Sequence, residues 1–173
     1  MGYYGPYVEI EFNLADPDRY AKAERQTRQL IEDGTKIICE ATFSTSGHYC
    51  MVDILRVRDD GSFDITEVKS STEMKEIYLH DMAYQCWVVE QCGYTVASVS
   101  LMQINNTYIR QGALDLNSLF EVEDHTAKVR EAMRHVPALA ERMAHVADAD
   151  IEPDIDLAFT AGLPTSAGFA NGV

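Results

Sequence analysis

The stretch YCMVDILRVRDDGSFDITEVKS, residues 49–70, holds two strand-like runs around one turn. YCMVDILRV (49–57) and FDITEVKS (63–70) are rich in β-branched and aromatic residues, and RDDGS (58–62) between them carries an Asp-Gly hairpin signal. Side chains alternate along a strand, so Glu67 and Lys69 are expected on one face and Val68 on the opposite, buried one. Asp53 stands among Met51, Val52, Ile54 and Leu55, where a carboxylate is costly unless it is paired or bound to a metal. If the two runs pair across the turn, Asp53 lies beside Glu67.

Upstream, TKIICEATF (35–43) reads as a further strand and STSGH (44–48) as turn material, which makes an antiparallel meander of three. Before it, a helix opened by Pro17 runs through AKAERQTRQLIEDG and ends at Gly34, with Ala23, Thr27, Leu30 and Ile31 as its apolar stripe. The first 18 residues, with Tyr3, Tyr4, Tyr7 and Phe12, suggest a packed arm or edge strand. Downstream, KEIYLHDMAYQCWVVEQC (75–92) reads as a helix with Ile77, Met82, Trp87 and Val88 on its apolar side, stopped by Gly93. TVASVSLMQIN (95–105) is a fourth strand. The order helix, three strands, helix, strand implies a crossover and hence an α/β fold with a mixed sheet flanked by helices. Two more helical pieces, 124–136 and 137–149, divide at Pro137, and the Gly-, Ala- and Pro-rich residues from Pro153 read as an irregular tail.

A length of 173 residues suits one full-sized core, expected over residues 1–150. No apolar run reaches membrane-spanning length, and the N-terminus lacks the basic-then-apolar pattern of a secretory signal. Pro6 stands where a myristoylation motif wants Ser or Thr. A cytoplasmic protein is the expectation, with no membrane partner. Cys39, Cys50, Cys86 and Cys92 form no CxxC pair and read as small hydrophobes. The net charge of −14 runs against the basic surface usual for a nucleic-acid enzyme. It leaves room for a basic partner or an additional domain.

Two carboxylates and a lysine at this spacing suit phosphodiester hydrolysis. The carboxylates hold Mg²⁺ or Mn²⁺, hard ions that prefer oxygen. The lysine is a point charge that orients the attacking water and offsets charge growing in the transition state. Glu-x-Lys on a strand is also a common surface ion pair, so Asp53 and the element order carry the weight.

The chain resembles the PD-(D/E)XK nuclease superfamily, through Asp53 followed after thirteen residues by Glu67-Val68-Lys69. More narrowly, EATF, VDIL, ITEVKSST and HDMAYQ resemble a bacterial domain of unknown function in the RecB-like branch, over roughly residues 24–173. The resemblance implies a restriction-endonuclease-like core, DNA as substrate, and exonuclease or end-processing work in repair or defence. It implies Asp53, Glu67, Lys69 and Gln85 as catalytic residues, Gln85 taking the place of a glutamine on the helix after the third strand. Asp53 and Glu67 would be metal ligands, with Glu40 as an additional one and Glu32 competing for that role. Val89 stands where the branch usually has tyrosine, with Tyr84 or Trp87 substituting in bulk. His80 and Asp81 open a further possibility around the metal, although His80 is not expected to be a ligand. Relatives often end in an iron–sulfur segment. Residues 151–173 keep Pro164 and Phe169 but have Ala161, Ala167 and Val173 where cysteines are expected, so no iron–sulfur cluster is expected.

Two other classes remain open at this point. One is a catalytically inactive nuclease-like module that binds a protein or nucleic-acid partner. The other is an acidic interaction protein whose strand charges are merely solvated. A basic cleft beside Asp53, drawn from Arg56, Arg58, Lys75, Arg110 and Lys128, would separate the nuclease from the latter.

Overall fold

The computed structural model describes residues 2–149, so the expectations for the 151–173 segment lie outside the described residues. The chain divides between Val136 and Pro137. The N-terminal unit is built on a six-stranded mixed sheet in the order β1-β2-β3-β4-β5-β6. The strands are β1 (Val8–Glu9), β2 (Ile37–Thr45), β3 (His48–Val57), β4 (Phe63–Lys69), β5 (Val96–Ile104) and β6 (Phe120–Asp124). The helices are α1 (Arg19–Glu32), α2 (Glu76–Gln91), a short α3 (Leu116–Leu119), α4 (Thr126–Met133) and α5 (Val136–Ala147). The α/β architecture, with a helix, a three-strand meander, a helix, a strand and extra C-terminal helices, is the one expected.

Strands β2, β3 and β4 form the meander, β2 pairing antiparallel with β3 and β3 with β4. Helix α2 then carries the chain to β5, which lies parallel to β4. The β2–β3 turn is tighter than the expected 44–48 loop. Ser46 and Gly47 alone make it, both with positive φ (49° and 81°), which is the two-residue hairpin geometry that matches strand twist. Helix α1 ends where glycine permits it. Gly34 has φ 80°, its N–H donates to Ile31 O, and Thr35 N–H donates to Leu30 O, which together satisfy the last carbonyls of the helix.

One face of the sheet meets the helices. Ala23 of α1, Met82, Ala83, Cys86, Val88 and Val89 of α2 and Val129 of α4 pack with Ile38, Val52, Leu55, Phe63 and Ile65. Burial of Met82, Val88 and Val89 contributes about 1.5–3 kcal/mol each. Ile77, expected on the apolar side of α2, is 65% exposed, because the first turn of the helix overhangs the core. Val89 is fully buried, so the position where tyrosine was expected serves packing. Sequence reading missed α3 and β6. Glu121, Val122, Glu123 and Asp124 of the strand are all exposed, so FEVED offers no alternation to read.

The opposite face is lined by the N-terminal arm. β1 lies parallel to β2, Val8 against Ile38 and Glu9 against Cys39, and Tyr3 packs edge-on against Tyr4 and Phe120. On this face Asp64, almost buried, holds both Arg56 and Arg58 and accepts a 2.6 Å hydrogen bond from Ser98 Oγ. Burial pushes the Asp64 carboxyl up, but hydrogen bonds from Arg58, Ser98 and Arg56 outweigh it and hold its pKa below 3.8. A depressed carboxylate stabilises the fold above its unfolded pKa and loses that contribution as pH falls through the folded value. Asp64→Asn is therefore expected to cost about 1–3 kcal/mol at neutral pH. Urea melts should show the gap from the unmutated protein closing as pH drops below 3.8.

In the C-terminal unit, α5 presents Leu139, Met143 and Val146 to solvent. No helix among the described residues is long and apolar enough to cross a membrane.

Candidate functional site

Residues of the meander and α2 build the site. The β3–β4 ladder runs from Val57↔Phe63 to Ile54↔Thr66 and stops there. The next positions in that register are Asp53 and Glu67. Here the two strands fork, and the Asp53 carboxylate enters the fork: its Oδ2 accepts a 2.7 Å hydrogen bond from Val68 N–H. A side chain thus satisfies a donor that the continuing ladder would have used.

The β2–β3 ladder is interrupted at the same level. Cys39 pairs with Ile54 and Ala41 with Val52, but Glu40 and Asp53 between them do not pair. Glu40 has φ 59°, a left-handed conformation uncommon for a residue with a Cβ. Both strands change faces across this gap without changing register. Ile38 and Leu55 face the helices on one side of it, and Ala41, Phe43, Cys50 and Val52 do so on the other. Alternation alone would have put these sets on opposite faces.

On β4, Glu67 and Lys69 share the helix-facing side, as alternation requires. The side expected to be buried is the other way round: Val68 is half-buried toward the arm, whereas Glu67 is 4% exposed under α2. The helix supplies the polar partners that make this burial tolerable. Lys69 Nζ donates to Glu67 Oε1 and, at 2.9 Å, to Asp81 Oδ2. Gln85 Nε2 donates to Glu67 Oε2 at 2.6 Å and to Asp81 Oδ1 at 3.4 Å. Asp81 and Gln85 sit four apart on α2, one turn, on the side turned to β4. The i, i+4 spacing in HDMAYQ was the signal for Asp81, which sequence reading had only as a possibility alongside His80. His80 itself is exposed beside Glu76.

Three carboxyls at the fork are shifted upward. Burial raises Asp53, with the charge of Glu40 adding and the Val68 N–H opposing. Burial raises Glu67 too, with Asp53 and Asp81 adding while Lys69 and Gln85 oppose. Glu40 is raised by burial and then by Glu9 and Glu67. Burial alone would lower the Lys69 pKa, but hydrogen bonds to Glu67 and Asp81 raise it. Lys69 is therefore a fixed positive charge at neutral pH.

A cleft of about 480 Å³ opens on the arm side, with Glu40 and Asp53 among its lining and Tyr3, Tyr4, Tyr7 and Phe120 forming an aromatic wall. Among the described residues no Lys or Arg lines it, so it is not the basic cleft that would have separated a nuclease from an acidic interaction protein. Arg56 and Arg58 line an adjoining cleft with Lys36, which shares Tyr4 and Ile37 with the first. Lys75 stands beside Tyr78, Arg110 donates to Gly112 O, and Lys128 is exposed on α4. Glu32 ends α1 in a different cleft, with Thr42 and Gln91. Tyr84 and Trp87 pack on His48 at the hairpin tip, so neither reaches the fork.

The carboxylates able to hold a hard cation are Asp53 and Glu67, with Glu40 next to Asp53. Among the described residues no three His, Cys, Asp or Glu side chains converge as a metal cage. Mg²⁺ asks for less, usually one or two carboxylates plus waters and substrate phosphate. An all-oxygen donor set fits it, and Gln85 Oε1 is buried without a hydrogen-bond partner at the same place.

No family model matches the chain, and no curated protein matches it. Among solved structures, an alkaline exonuclease from Laribacter hongkongensis is similar with a TM-score of 0.40 and 18% identity, over 79% of this chain and 73% of that one.

Proposed function

We infer that the protein is a Mg²⁺- or Mn²⁺-dependent nuclease of the PD-(D/E)XK kind, hydrolysing phosphodiester bonds in DNA. The observation that supports this most is the fork itself: a half-buried aspartate inserted between two parting strands, opposite a Glu-x-Lys pair whose glutamate is buried. Structural carboxylates seldom carry mutual repulsion in an apolar layer without a cation to relieve it.

In this reading Asp53 and Glu67 are the ligands, with Glu40 as a further one. When bound, such an ion polarises the phosphoryl group and makes water a nucleophile near neutral pH. Lys69 Nζ orients the attacking water and offsets the negative charge that grows on the phosphoryl oxygens. Gln85 holds the carboxylate of Glu67 in one orientation. With no cation in the acidic cleft, attraction of the DNA backbone falls to the ligated ion and to Lys36, Arg56 and Arg58 next door.

The test is cleavage of end-labelled single- and double-stranded DNA with Mg²⁺ or Mn²⁺, together with calorimetric titration of the metal. Cleavage that appears with either ion and stops on chelation is the expected result. Metal binding without cleavage of any substrate would favour a nuclease-like module that needs a partner. Neither binding nor cleavage would sink the reading.

A further inference from the structure

We propose that Asp81 is a positioning residue that draws Lys69 and Gln85 off Glu67 when Glu67 takes up a cation. The proposal rests on the metal-site reading above. Both oxygens of Glu67 are already engaged, Oε1 by Lys69 and Oε2 by Gln85. Each of those oxygens keeps a further lone pair for a cation, but the two donors hold the carboxylate in its present orientation. The ammonium is the more serious obstacle, because it competes for the same charge and repels the incoming ion.

Each of the two donors bridges the same two carboxylates. Lys69 Nζ reaches Asp81 Oδ2 at 2.9 Å, and Gln85 Nε2 reaches Asp81 Oδ1 at 3.4 Å. Asp81 thus offers an acceptor to both groups without a change of rotamer on a large scale. Its side chain is 40% exposed, against 5% for Glu67. Water solvates the carboxylate of Asp81, while Glu67 under α2 has no such support. The ammonium also stays beside the fork, where the attacking water is to be oriented. Without Asp81, Lys69 has Glu67 alone as counter-ion and closes it.

The experiment is Mn²⁺ binding by calorimetry to the unmutated protein, Asp81→Asn, Asp81→Glu, Lys69→Ala and the Asp81→Asn/Lys69→Ala pair. Asp81→Asn is expected to weaken Mn²⁺ binding by about tenfold or more, the scale of losing a group that orients a ligand. Asp81→Glu, which keeps the charge, recovers most of it. In the Lys69→Ala background, Asp81→Asn is expected to change the affinity by less than about twofold, since the ammonium, the main competitor, is gone and only the neutral Gln85 amide remains. Thermal melts of each variant verify folding. Undiminished affinity in Asp81→Asn overturns the proposal. So does an equal loss in both backgrounds, which would make Asp81 a direct ligand or a simple field charge. An unmutated protein that takes up no Mn²⁺ removes the metal-site reading, and the proposal falls with it.

Discussion

If the protein is the nuclease proposed above, Asp53→Asn is expected to lower DNA cleavage by at least about 10³-fold while leaving the fold standing. The two effects separate because Asp53 has two jobs. Its Oδ2 accepts from Val68 N–H in the fork, and an asparagine carbonyl can do the same. Its negative charge is what a cation needs, and asparagine lacks it. Loss of a ligand to a catalytic ion removes several kcal/mol of transition-state stabilisation, and about 4 kcal/mol corresponds to 10³ in rate. Asp53→Ala loses the same activity but also leaves the Val68 amide without its acceptor, at about 1–3 kcal/mol. Single-turnover assays and thermal melts on the two variants check both halves. An Asp53→Asn protein that cleaves at the original rate would remove Asp53 from the site.

Lys69→Ala is the second large effect, on both rate and stability. The rate is expected to fall about 10²–10³-fold, the range for removing one preorganised charge from the developing oxyanion. Stability falls because Glu67, 5% exposed on its side chain, keeps Gln85 but loses its counter-ion. An unpaired buried carboxylate protonates rather than remain charged, and burial already raises the Glu67 pKa with Lys69 opposing. Removing Lys69 raises it further. A carboxyl whose folded pKa lies above its unfolded one binds more protons when folded, so stability declines as pH rises between the two values. The deficit of Lys69→Ala relative to the unmutated protein is therefore largest at neutral pH and shrinks on acidification toward the unfolded glutamate range. Denaturant melts at pH 7 and pH 5 read this directly; a deficit that grows on acidification would contradict it.

The meander and the crossover were legible because short-range signals governed them. β-branched runs, an Asp-Gly turn and a glycine after α1 each act over a few residues, and Ala23 and Thr27 fall inward as their periodicity requires. That Asp53 comes level with Glu67 was legible too, since the register set at the turn runs up to Ile54 and Thr66, although the strands fork before the two acids pair. Three features escaped. The face change at Glu40 and Asp53 breaks the alternation on which strand reading depends. The burial of Glu67 rather than Val68 is decided by α2, whose approach to β4 no local pattern encodes. The aromatic wall joins Tyr3 and Tyr4 to Phe120, more than a hundred residues apart in sequence, and contacts of that separation leave no periodic trace. The cations illustrate the same point. Arg56 and Arg58 were candidates for a cleft beside Asp53, but Asp64 turns both into the adjoining one, paired with it and still partly exposed.

At Asp53 the β2–β3 ladder is interrupted opposite Glu40, and the β3–β4 ladder ends short of Glu67. In mechanical terms the β2–β3 pair is held on both sides of this level, where core pairs such as Ile38 with Leu55 and Ala41 with Val52 clamp the strands. It is compliant at one point only along this hairpin. Small changes in the separation of Asp53, Glu40 and Glu67 bend two residues and leave the clamped pairs unsheared. On the metal-site reading proposed above, such a point would let the carboxylates adjust to a small hard ion without disturbing the helices of the core.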